Sequence, residues 1–200
     1  MANQLSLTFS LTIVLLSFLH LLTTSESAAA AVTTTSFIRT SCRATTYPSV
    51  CVQSLYTHAA AIKKSPKQLV TTALSVSVEK AQSTKTFVSM LTRFRGLKPR
   101  EYAAIKDCLE EVSDSVDRLS KSVKELKKLG PARGPEFVWH MSNLQTWVSA
   151  ALTDDSTCMD GFSGRAMNGR IKSSIRARMT HVAQVTSNAL ALCNRFAGKY

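Results

Sequence analysis

The chain is 200 residues long, 44% hydrophobic, and carries 25 Lys and Arg against 13 Asp and Glu, a formal charge of +12. That length bounds the fold to about one domain with a substantial core, and the charge predicts retention near polyanions. Nucleic acid is not an expected partner, because no aromatic and basic recognition motif accompanies the charge.

Residues 1–30 read as a secretory signal with an approximate boundary. From Leu5 to Leu22 the apolar residues are interrupted by Ser6, Thr8, Ser10, Thr12, Ser17 and His20, too short and too diluted a stretch for a membrane span. Ser25, Ser27 and the alanines from Ala28 suit a signal peptidase. With no retention signal before Tyr200, the expected location is outside the cell, free of the membrane after cleavage. The leader holds Glu26 and no Lys or Arg, so its loss takes the remaining charge from +12 to +13.

Next come Cys42 and Cys51, eight residues apart, with Tyr47-Pro48 between them. The Pro marks a break between two short helices, which a local disulfide would staple into a hairpin. Turn signals then fall at Gly96 to Pro99, Gly130 to Pro135 and Gly161 to Gly164, and separate four helix-length tracts. These begin at about Pro66, Pro99, Pro135 and Arg165.

In the first tract Leu69, Ala73, Val76, Phe87, Met90 and Phe94 form the apolar set. The second gives Tyr102, Ile105, Leu109, Val112, Val116, Leu119, Val123 and Leu126, alternating steps of 3 and 4 that only a helix gathers on one face. The third continues with Phe137, Met141, Leu144, Val148 and Ala151, and the fourth with Ile171, Ile175, Met179, Val182, Val185, Ala189, Leu192 and Phe196. The expected fold is all-α, an up-down-up-down four-helix bundle preceded by a helical hairpin.

Five cysteines in an exported chain suggest two disulfides and one thiol. The midpoint of Cys108 and Cys158 is residue 133, inside the Gly130 to Pro135 turn, so an antiparallel pair of helices makes them neighbours. Closing that loop of about 50 residues is worth about 4 kcal/mol, against about 3 kcal/mol at most for Cys42 with Cys51. Cys193 falls on the inward stripe of the fourth tract and reads as a buried free thiol.

No pattern announces catalysis. His58, His140 and His181 stand alone, without a His-x-x-x-His or Cys-x-x-Cys pair, so neither a metal nor a cofactor is expected. Gly161-Phe162-Ser163-Gly164 reads as a helix-ending turn rather than a nucleophile elbow. Asp154-Asp155, or Asp114 with Asp117, could act as acid and base only across a cleft, which a packed bundle with charged outer faces does not offer.

The acids nevertheless collect. Of the 12 beyond residue 30, eight (Asp107, Glu110, Glu111, Asp114, Asp117, Asp154, Asp155 and Asp160) belong to the zone that Cys108 and Cys158 would join. Asp107, Glu110, Asp114 and Asp117 step by 3 or 4 and miss the apolar stripe, which predicts an outward ridge. They could merely pair with Lys106, Arg118 and their neighbours, to small effect. They could also form a docking face for a basic protein surface, with Ser156 and Thr157 adding neutral polar groups on a fixed helix end.

These features resemble the plant invertase and pectin methylesterase inhibitor family over about residues 36–196. The resemblance is carried by Thr40-Ser41-Cys42-Arg43-Ala44-Thr45-Thr46-Tyr47-Pro48, by Lys106-Asp107-Cys108-Leu109-Glu110, and by Asp154-Asp155-Ser156-Thr157-Cys158-Met159-Asp160-Gly161-Phe162. It implies a four-helix inhibitor domain that forms a one-to-one, non-covalent complex over the pectin-binding cleft of a pectin methylesterase. The matching partner-binding positions are Asp114, Asp117, Thr157 and Asp160. The wording of both cysteine phrases looks like the methylesterase branch, with acid invertase as the alternative target. A free inhibitor is implied, with no pectinesterase domain after Tyr200. In such a setting the positive charge would also associate with demethylated pectin, and direct pectin binding is a further alternative. A contact carried by the acid ridge would weaken toward about pH 4, where carboxylates take up protons.

Overall fold

The computed structural model describes residues 33–129, 134–164 and 169–198. The proposed leader, residues 1–30, lies outside the described residues, as do residues 165–168, where the fourth tract was expected to start. Seven helices are present among the described residues: α1 (33–42), α2 (Pro48–Tyr56), α3 (Ala59–Ile62), α4 (Pro66–Leu91), α5 (Pro99–Lys128), α6 (Pro135–Asp160) and α7 (Arg170–Ala197).

Proline sets the starts. Pro48, Pro66, Pro99 and Pro135 each occupy the opening position of a helix, where a missing N–H costs nothing and the fixed φ already suits the helix. Ser65 adds a side-chain cap, its Oγ accepting from Gln68 N at 3.3 Å. Glu101 Oε2 accepts from Lys98 N at 3.0 Å, which closes the first turn of α5 and places a negative charge at its positive end.

The four long helices form a ring in which α4 packs on α5, α5 on α6, α6 on α7 and α7 on α4, with the α5 and α6 contact the most extensive. Helices α1 and α2 make the expected hairpin, closed by Cys42–Cys51 with Cα atoms 5.6 Å apart, and α2 rests on α4 and α7. Asn188 of α7, itself buried, holds this hairpin. Its Oδ1 accepts from Tyr47 N and its Nδ2 donates to Tyr47 O, both at 2.9 Å. Phe137 and Phe196 meet in a tilted ring contact at 6.1 Å near the same end of the bundle.

The apolar stripes of α6 and α7 sit where their spacing placed them, with Ile171 at the margin. Those of α4 and α5 need correction: Met90, Phe94 and Tyr102 are exposed. They lie at or beyond the helix ends next to the α4–α5 connection, where the bundle's side-by-side helix packing runs out. A second correction concerns charge. Asp154 and Asp155, expected outside with the other acids, are 4% and 0% exposed.

Those two carboxyls mark a seam in the core. One apolar cluster includes Val116 of α5 and Ala151 of α6, and the other includes Val112 and Cys158. Between them lie Ser115, Asp154 and Asp155, so the interior is two hydrophobic compartments separated by a polar level.

Candidate protein-docking face

The joint between α5 and α6 is built from small residues. Ala104, Ser115 and Ser122 are buried on α5 at the spacings of 4 and 7 residues that share the Cys108 face. Nothing bulky therefore separates the axes, and the Cys108–Cys158 disulfide brings the two Cα atoms to 4.3 Å. The pairing deduced from the midpoint rule is the one present, and Cys193 is the buried free thiol. Burial pushes the Cys193 thiol far above its usual value, which leaves it unreactive.

Buried polar groups then fix the register. Ser115 Oγ donates to Asp155 Oδ1 at 2.9 Å across the interface. Arg118 reaches over the joint, with one guanidinium nitrogen 2.9 Å from Asp154 Oδ1 and 3.3 Å from Ala150 O, and the other 3.6 Å from Asp114 Oδ2. Arg118 is thus committed to the α5 and α6 pair. Sequence reasoning named it only as a neutralising neighbour, yet the same midpoint rule sets it level with residue 148, within side-chain reach of Ala150 and Asp154. Lys121 Nζ stands 4.7 Å over the Trp147 ring a turn further along, a contact no sequence motif announced.

Burial dominates the two interior acids. Desolvation, only partly offset by the Arg118 charge, raises Asp154 to about 6. Asp155 is raised to about 7, again by burial, against the Ser115 hydrogen bond and with a further push from Asp154. Their Oδ2 atoms have no hydrogen-bond partner among the described residues, and at 4% and 0% exposure both carboxyls face the interior. They belong to the interior architecture.

Outside, Asp107, Glu110, Asp114 and Asp117 form the exposed ridge of α5, and Thr153, Thr157 and Asp160 share an exposed strip of α6. The structure places all four proposed contact residues, Asp114, Asp117, Thr157 and Asp160, at the surface of this one helix pair. Asp114 is partly neutralised by Arg118, whereas among the described residues Asp107, Glu110, Asp117 and Asp160 enter no ion pair. Thr157 Oγ1 donates to Thr153 O at 3.0 Å, which leaves its lone pairs facing outward as acceptors. No cluster of His, Cys, Asp or Glu that could hold a metal ion exists among the described residues. No helix there is long and apolar enough to cross a membrane.

A family model described as plant invertase/pectin methylesterase inhibitor matches residues 36–192. The chain belongs to this family. Its relatives include a "21 kDa protein" of Daucus carota, 56% identical over 87% of this chain and 90% of that one. Pectinesterase inhibitor 11 of Arabidopsis thaliana is 53% identical over the whole length of both chains, and Pectinesterase inhibitor 9 of the same plant is 55% identical over 82% and 81%. Among solved structures, a mutant form of a pectin methylesterase inhibitor from Arabidopsis aligns with a TM-score of 0.62 at 23% identity, covering 76% of this chain and 92% of that one. At that identity the likeness concerns the fold, and it places this inhibitor-family chain among helical bundles of the same type.

Proposed function

We infer that this protein is a pectin methylesterase inhibitor, a binding protein rather than an enzyme, that acts from outside the cell. Its relatives at 53–56% identity are named pectinesterase inhibitors in two of three cases. The observation that favours the α5 and α6 pair as the contact is its construction: a sulfur-locked joint presenting a row of exposed acids of which, among the described residues, only Asp114 is engaged in an ion pair. Rigid presentation lowers the entropic cost of association, and unpaired surface charge speeds and orients the encounter. In this reading Asp114, Asp117, Thr157 and Asp160 meet the enzyme, one inhibitor covers one substrate cleft, and pectin is excluded sterically without a covalent step or cofactor.

The deciding experiment titrates pectin methylesterase activity with the mature protein, in parallel with acid invertase. Activity should fall to near zero at close to one equivalent for the methylesterase and stay constant for invertase. Loss of invertase activity alone would reassign the target. No loss in either assay, across several plant isoforms, would remove the inhibitor reading.

A further inference from the structure

Charge is divided across this bundle as well as along its sequence. Helices α4 and α7 together carry eight Lys and Arg and one acid, Glu79, whereas α5 and α6 carry seven Lys and Arg and 11 acids. Each of these pairs is a pair of neighbours, so the molecule has a basic side and an acidic side. The acidic side is spoken for in the reading above, and the basic side is not.

Between α4 and α7 runs a surface groove of about 490 Å³, lined among others by Lys80, Ser83, Thr84, Phe87, Arg178 and His181. The Arg178 guanidinium lies 4.1 Å over the Phe87 ring. Stacking uses the flat face of the guanidinium and leaves its N–H edge for a planar anion. In contrast with Arg118, neither Arg178 nor Lys80 enters any ion pair among the described residues. Burial and, to a lesser degree, the Lys80 ammonium lower the His181 pKa. Arg170, eight residues before Arg178 and two helical turns away, continues the basic row on the same face of α7.

We propose that this α4 and α7 groove binds the carboxylates of a de-esterified polyuronate. The choice of occupant rests on the inhibitor reading above: removing a methyl ester leaves a carboxylate, so the polymer on which the target enzyme has acted is a chain of anionic sugars. The lining fits such a ligand. Unpaired cations meet carboxylates, and the hydroxyl of the exposed Ser83 can exchange hydrogen bonds with sugar hydroxyls. Single-stranded nucleic acid would want open aromatic faces for its bases, and Phe87 is already covered by Arg178.

The test compares binding of the mature protein to polygalacturonate and to highly methyl-esterified pectin by calorimetry at low salt. Native protein should prefer the de-esterified polymer. Lys80→Glu with Arg178→Glu should weaken that binding about tenfold or more, as expected when two phosphate-like contacts are reversed, with unchanged helical circular dichroism. A control with equal charge change at the other end of the bundle, Lys124→Glu with Lys127→Glu, should lose much less, and inhibition of pectin methylesterase should persist in the groove variant. Equal losses in both double variants would overturn the proposal, as would equal binding of the esterified polymer. Tighter binding to single-stranded DNA or to phosphatidylserine vesicles would overturn it too. Failure of the native protein to inhibit any methylesterase would remove the inhibitor reading, while the groove would still be judged by the binding comparison.

Discussion

Asp155 makes the fold sensitive to pH in a direction opposite to most carboxylates. Its folded pKa, about 7, lies above the ordinary 3.8, so the folded state holds the proton more tightly than the unfolded state. The associated stability is complete below about pH 4 and is lost as pH rises through about 7, with an amplitude of roughly 2–4 kcal/mol. Asp154, raised to about 6 with Arg118 against it, adds to the same trend. Denaturant midpoints measured from pH 4 to 8 should therefore fall, and Asp155→Asn, which keeps the shape without the charge, should flatten the curve and raise stability at pH 8. Asn188 gives a second expectation at this scale. Asn188→Asp retains the acceptor for Tyr47 N but sets a carboxylate against Tyr47 O, which should cost about 2–3 kcal/mol at neutral pH. Part of that loss should return on acidification, when a protonated oxygen again donates, and urea melts at pH 4.5 and 7.5 would show it.

At the scale of elements, the two disulfides do different work. Cys108→Ser with Cys158→Ser should destabilise the protein by about 4 kcal/mol, a fall in Tm of about 8–15 °C, and should weaken inhibition because the docking face loses its fixed joint. Cys42→Ser with Cys51→Ser should cost about 2–3 kcal/mol and leave inhibition of the remaining folded protein intact; calorimetry with an inhibition titration separates the two. The joint itself could be read from the chain, since spacing located the helices and antiparallel arithmetic located the bridge. Asp155 was misplaced because charge is read as outward by default, although it continues the stripe of Ala151 and Cys158 at steps of 4 and 3. The Asn188 clamp and the Lys121 contact with Trp147 join distant positions that no local pattern connects. The turn at Lys63 and Lys64 was also silent, because both adopt positive φ without glycine. The outward ridge of α5 was legible, and which of its acids Arg118 would neutralise was not.

For the whole molecule, the separation of charge between helix pairs predicts a kinetic effect. Reversing Asp114 and Asp117 to Lys should slow association with pectin methylesterase by about tenfold at low ionic strength, and the difference should shrink as salt is raised above about 0.3 M. Stopped-flow traces at two salt concentrations would measure it. An unequal division of charge also gives a particle a preferred heading. On a mat of anionic polymer, such a molecule would settle with the α4 and α7 flank downward and its opposite flank toward the solvent. A wall region already stripped of esters would then collect sentries facing the next enzyme to arrive.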